Sequence, residues 1–232
     1  MNDAKRVAIY CERYLNLNNA NLSDEYFYQS LPLCVIDAVF SIGVKYTAVR
    51  NTVIRYCDYV GLKRIRDNKN NIPLKKEQQS ISDFLDKVEY YGIERFTEDI
   101  FDNRQRTSSV NGILKTKATY KFARVLNDFS VDYFQDIKEV INSYEFKKEI
   151  KKIPGQKSGI SLNYFFMLAG FDNFIKPDRM VLRFLQKVLK TDISFGEAQS
   201  LLIEVSSILK DSYNNMSPKL LDHEIWKYER KI

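Results

Sequence analysis

Apolar residues recur at helical spacing along almost the whole of this 232-residue chain, and only five prolines and eight glycines interrupt them. A strand-rich fold needs alternating polarity and frequent turn residues; their scarcity makes an all-α fold the expectation. Helices are expected over about 3–16, 24–30, 32–41, 45–60, 78–91, 93–101, 107–111, 115–127, 131–142, 144–151, 160–170, 178–189, 194–211 and 217–230. With 44% hydrophobic and 13% aromatic residues, the chain has ample material for a core and is not disordered. Residues 63–79 are polar, carry Asn68, Asn70, Asn71 and Pro73, and read as a surface loop or insertion.

Several function classes drop out early. No run of about 18 or more apolar residues is available to span a membrane. The start Met1-Asn2-Asp3-Ala4-Lys5-Arg6 has no apolar stretch of the secretory kind, so a cytoplasmic location is expected, near the nucleoid in a bacterial cell. Cys11, Cys34 and Cys57 are odd in number and lack the clustered spacing of a metal site. Buried, reduced thiols are expected, with no metal and no cofactor. A net charge of +6 and a pI near 9.0 suit a nucleic-acid partner as well as many basic proteins that have none.

The densest local signal is Ile153-Pro154-Gly155-Gln156-Lys157-Ser158-Gly159, ahead of an apolar helix that starts near Ser161. Pro154 fixes one φ angle and Gly155 permits a positive one, so the chain turns tightly there. Amides at such a turn and at the following helix start suit an anion. Lys147, Lys148, Lys151, Lys152 and Lys157 surround it, making a polyanion one reading and a solvated face beside an ordinary turn the other. Farther on, Lys176-Pro177-Asp178 opens another helix. Asp178 there either caps that helix or serves as a fixed carboxylate.

The order of these blocks resembles the helix-hairpin-helix superfamily of DNA glycosylases, which includes endonuclease III and the alkylbase glycosylases. Ile153-Pro154-Gly155 is similar to the start of that family's Leu-Pro-Gly-Val-Gly-Arg-Lys-Thr-Ala hairpin. Pro177-Asp178-Arg179-Met180-Val181-Leu182-Arg183 is similar to its Val-Asp-Thr-His-Val-Phe-Arg, with both Asp and Arg aligned. Upstream, Gly112-Ile113-Leu114-Lys115-Thr116-Lys117-Ala118 resembles Gly-Leu-Tyr-Asn-Ser-Lys-Ala, and Leu33-Cys34-Val35-Ile36-Asp37-Ala38-Val39-Phe40-Ser41 resembles the early buried helix. The resemblance covers about residues 31–190. It departs from the family at Lys157, where the second hairpin glycine is expected, and at Gly159, which stands at the position of the Schiff-base lysine.

The resemblance implies two helical subdomains with a cleft between them: residues 31–170, ending in the hairpin motif, and residues 1–30 joined by 171–232. It implies a monofunctional hydrolase that cuts the N-glycosidic bond of a flipped-out modified or damaged base in double-stranded DNA. Lacking the amine that forms an imine, the chain would use water, with Lys157 a conceivable substitute. Without catalysis, the same features would make a helix-hairpin-helix DNA-binding module. Asp178 is the expected catalytic carboxylate, stabilising positive charge on the sugar. DNA contacts are expected from Gly155, Gln156, Lys157, Ser158, Gly159, Lys115, Lys117 and Lys152, with Arg104, Arg106 and Lys121 on the same rim. Ile113 and Leu114 would plug the gap left by the extruded base.

Asp37, Tyr46 and Tyr164 are candidates for the base pocket, and a buried structural role, such as capping a neighbouring helix, is the favoured alternative for Asp37. His223 and Trp226 lie on a terminal helix, and the histidine reads as a surface or boundary residue rather than a metal ligand. No membrane partner and no obligate protein partner is expected.

Overall fold

The computed structural model describes residues 2–231. Its α-helices are α1 (Asp3–Tyr14), α2 (Leu31–Phe40), α3 (Tyr46–Val60), α4 (Ile81–Tyr91), α5 (Ile93–Arg95), α6 (Lys115–Asp128), α7 (Tyr144–Lys152), α8 (Ile160–Leu168), α9 (Arg179–Leu189), α10 (Phe195–Lys210) and α11 (Pro218–Glu229). Among the described residues there is no strand, only two isolated bridges, Tyr28 with Ile65 and Arg106 with Leu114. The fold is all-α, and among the described residues no helix is long and apolar enough to cross a membrane. The chain divides into two compact units, one internal (Asp24–Ala169) and one built from both ends (Met1–Ser23 and Gly170–Ile232).

The internal unit is built around α2, all of whose residues are buried, as expected of a helix apolar on every side. It packs against α3, α6 and α8. An aromatic cluster lies beside it: Phe101 meets Phe40 and Phe96 edge to face at ring distances of 5.1 and 5.0 Å. Each such ring withdrawn from water contributes about 2–3 kcal/mol. Ser80 and Ser143 cap α4 and α7 by accepting from Asp83 and Phe146 N–H.

Three expected helices differ. Only Asp24–Phe27 of the 24–30 segment is helical, as a 3₁₀ turn. Beyond it the chain extends, with Gln29 N–H donating to Arg64 C=O (3.0 Å) and Arg66 N–H to Phe27 C=O (3.0 Å). These bonds also hold down the 63–79 segment, which is more than a surface loop: Arg66 and Gln79 are buried, and Gln79 Oε1 accepts from Tyr56 Oη (2.7 Å). Within 131–142 only a 3₁₀ turn, Phe134–Glu139, forms. The third, 107–111, is not helical at all. Within the internal unit, which starts at Asp24, buried Tyr28 hydrogen-bonds to Asp37.

In the terminal unit, α1 packs on α9 and α10, and α9 packs on α11. Val181, Phe184, Leu185 and Leu189 put a helical stripe of α9 into a core shared with Val7, Cys11, Ile175, Leu202, Leu221 and Ile225. All three cysteines are buried and unpaired, and burial raises each thiol, Cys57 to about 12. His223 is buried, not at the surface or boundary: it is 3% exposed and stacks on Trp226 at 5.8 Å. No group of His, Cys, Asp and Glu with metal-holding geometry occurs among the described residues.

Candidate functional site

Between α7 and α8 the chain makes two successive turns. Gln156 N–H donates to Ile153 C=O (2.9 Å), and Gly159 N–H donates to Gln156 C=O (3.0 Å). Pro154 and Gly155 form the corner of the first turn, where Gly155 has φ +91, a conformation that favours glycine. Gly159 has φ +77 and leads directly into α8. The N–H groups of Gly155, Lys157 and Ser158 take no part in these turn bonds. Lys157 and Ser158 are exposed. Gln156 departs from its expected role as a DNA contact: its side chain is fully buried, with Oε1 accepting from Ser161 Oγ at the start of α8.

Next to this turn lies the segment expected to be helical over 107–111. Gly112 forces a close return instead, since a Cβ there would lie 2.3 Å from Ser108 O. The return is closed by Thr107 N–H to Ile113 C=O (2.9 Å), Lys115 N–H to Gln105 C=O (2.8 Å) and Arg106 Nε to Gly112 C=O (2.8 Å). Thr107 touches the hairpin so closely that a Cβ on Gly155 would be 2.4 Å from its own Cβ. Two segments whose contacting residues, Thr107 and Gly155, are 48 positions apart thus meet at a glycine that leaves no room for a side chain. Ile113 and Leu114 are half-buried in this arrangement. The apolar side chain held out at the tip is Val110, 74% exposed.

Lys115 is the clearest departure among the expected DNA contacts. It is fully buried, and its Nζ donates to Phe40 C=O (2.8 Å), Ile42 C=O (2.8 Å) and Gln105 Oε1 (3.1 Å). An ammonium placed on the last carbonyl of α2 and on Ile42 C=O in the turn beyond it satisfies that helix end and ties it to the start of α6. Lys117, Lys121, Lys151 and Lys152 remain exposed, with Lys152 paired to Glu149 at 2.6 Å. Lys121, Arg124 and Lys152 line, with Tyr120, Ile153 and Pro154, a cavity of about 330 Å³ at the hairpin.

Asp37, Tyr46 and Tyr164 come together in the internal unit. Asp37 is fully buried, and its Oδ2 accepts from Tyr28 Oη (2.8 Å) and Tyr46 Oη (3.3 Å). Tyr164 is 5% exposed and stands edge to face with Tyr26 at 6.5 Å. Burial first, and then the charge of Asp37, raises the pKa of Tyr28, Tyr46 and Tyr164, keeping the phenols protonated as donors. Tyr26 and Tyr28 join a cluster of which sequence names only three members, because residues 24–30 read as a short helix of their own.

Asp178 belongs to the terminal unit. It caps α9, with Oδ1 accepting from Met180 N–H (2.8 Å) and Val181 N–H (3.3 Å). Its Oδ2 accepts no hydrogen bond from the described residues, and the residue is partly exposed. Arg183 donates from Nε to Glu229 Oε2 at 2.5 Å. Asp222 and Lys219, both 4% exposed on α11, hold the segment before Asp178. Neither was singled out from sequence, although Leu220-Leu221-Asp222 carries the signal that marked Asp37, a carboxylate among apolar neighbours.

No curated protein and no solved structure matches the chain. A family model described as "Domain of unknown function (DUF8548)" matches residues 5–230, nearly the full length, and the chain belongs to that family.

Proposed function

We propose that this protein is a monofunctional DNA glycosylase of the helix-hairpin-helix kind, releasing a modified or damaged base from double-stranded DNA by hydrolysis. The observation that carries the reading is the α7–turn–α8 unit. It offers the amides of Gly155, Lys157 and Ser158, which the turn bonds leave unused, glycines with positive φ, and exposed Lys151, Lys152 and Lys157 in one place. That combination suits a phosphate group. In the loop whose Thr107 touches Gly155, exposed Val110 is the apolar wedge available to fill the space of an extruded base, in place of the half-buried Ile113 and Leu114.

In this reading Asp178 acts through Oδ2. As the C1′–N bond breaks and its electron pair leaves with the base, the carboxylate stabilises the positive sugar. Water adds to C1′ and gives its proton to the carboxylate. The asymmetric use of the two oxygens reconciles the helix-capping and catalytic roles. With Gly159 at the family's lysine position, no imine forms there.

A second reading, a DNA-binding module without catalysis, is favoured by one observation: capping α9 by itself accounts for an acid at position 178. The two separate in an assay of duplexes that each carry one alkylated, deaminated, oxidised or hypermodified base. The glycosylase reading predicts strand breaks only after alkali, and only with Asp178 intact. Breaks without alkali would point to an amine such as Lys157. Salt-sensitive binding with no base released, by wild type or by Asp178→Asn, would select the binding module.

A further inference from the structure

The segment that delivers Asp178 to α9 is held at both ends by α11. At its beginning, Lys219 N–H donates to Asp172 C=O (3.1 Å), and the buried Lys219 Nζ pairs with Asp172 Oδ1 (2.6 Å). At its end, Asp222 Oδ1 accepts from Lys176 N–H (3.1 Å). Lys176 C=O in turn accepts from Asp178 N–H (2.6 Å), closing a tight turn around Pro177. Between the two grips Ile175 is fully buried in the core of the terminal unit. A continuous line of bonds therefore runs from the Asp222 side chain through the backbone N–H and C=O of Lys176 to the main chain of Asp178.

Capping α9 would need none of this, since an aspartate at a helix start caps by local geometry alone. Burying a second carboxyl beside the first has a cost, because burial and then the negative charge of Asp178 raise Asp222 well above the usual carboxylate range. The Lys176 amide and the Lys176 charge oppose that shift only in part. A buried acid kept there against its own ionisation is best explained by what it holds in place.

We propose that Asp222 is a positioning residue: from α11 it fixes the Lys176–Asp178 turn so that Asp178 caps α9 with Oδ1 and presents Oδ2 to the sugar of the bound nucleotide. The inference rests on the glycosylase reading above. It adds a residue that touches no substrate, together with Lys219 as the second anchor of the same segment.

Two variants test it on whichever duplex the wild type cleaves. Asp222→Asn keeps an oxygen that accepts from Lys176, and its single-turnover release is expected within about threefold of wild type. Asp222→Leu keeps the branched shape but removes the acceptor; release is expected to fall by at least about tenfold while the Kd for the duplex stays the same. Hydrogen exchange at the Lys176 amide supplies a readout independent of activity: slow in wild type and Asp222→Asn, fast in Asp222→Leu. If Asp222→Leu releases base at the wild-type rate, or if the Lys176 amide of folded wild type exchanges as in a free peptide, the inference is overturned and the glycosylase reading stands. If Asp222→Leu does not fold, wild-type exchange at Lys176 and the rate of Asp222→Asn decide between the same outcomes. Absence of any release by wild type overturns both the reading and the inference.

Discussion

At Gly155 a single methyl group would collide with Thr107 Cβ at 2.4 Å while φ sits at +91. Gly43 has a similar positive φ, +68, but open space around its missing Cβ. Gly43→Ala is therefore expected to cost about 1 kcal/mol, the left-handed penalty alone. Gly155→Ala should cost at least about 2–3 kcal/mol, strain and overlap together. Urea unfolding of the two variants checks the difference; equal losses would mean that the hairpin does not press on Thr107. A second single-residue effect is set by pH. Burial and the nearby Lys227 charge lower His223 to about 4, so the unfolded chain binds a proton between pH 6.5 and 4 that the folded chain refuses. The stability of the neutral, stacked ring is present in full above about 6.5 and declines as pH falls toward 4, by about 3 kcal/mol over the window. Asp222, with a raised pKa, acts in the opposite direction, its contribution falling as pH rises. Subtracting the stability profile of His223→Gln from that of wild type isolates the histidine, and a flat difference across pH 4–6.5 would refute the assignment.

Among elements, lysines of similar sequence context have unlike roles. Lys115 joins the end of α2 to the start of α6 from a fully buried position, whereas Lys117, Lys152 and Lys157 face water. Lys115→Met leaves the carbonyls of Phe40 and Ile42 without their donor, and a loss of about 2–4 kcal/mol in unfolding free energy is expected. Lys117→Gln, Lys152→Gln and Lys157→Gln are expected to leave stability within about 0.5 kcal/mol and to lower the salt dependence of DNA affinity, by about 0.9 in log–log slope for each phosphate that is no longer neutralised. An unchanged slope in the triple variant would remove the rim from the DNA interface. Sequence could not separate these lysines, since a cluster of charges has no periodicity that says which member points inward. The long amphipathic helices were legible because their stripes repeat, as in α9 and α10. The segments at 24–30, 107–111 and 131–142 were not. Their backbone groups bond to distant partners or close on themselves, and such pairings leave no local pattern.

For the whole molecule, the two units carry different parts of the proposed chemistry. The hairpin, the Val110 loop and the Asp37 cluster belong to the internal unit, and Asp178 with its Asp222 and Lys219 anchors to the terminal one. Sequence singled out the hairpin residues and Asp178, because turn glycines and a Pro-Asp helix start are local signals, but not Val110, Asp222 or Lys219. The contact of Thr107 with Gly155 and the grip of α11 on the Asp178 segment are tertiary, and the sequence held no spacing that announced them. The central claim is that the chain frees a base from DNA through Asp178, and its most direct measurement needs no guess about the substrate. Genomic DNA bearing mixed damage and modifications is incubated with wild type or with Asp178→Asn, and mass spectrometry of the small-molecule fraction counts free bases. A base that accumulates with wild type and not with Asp178→Asn is the predicted result; the same free-base profile from both proteins and from buffer, under conditions where both bind the DNA, would contradict the account.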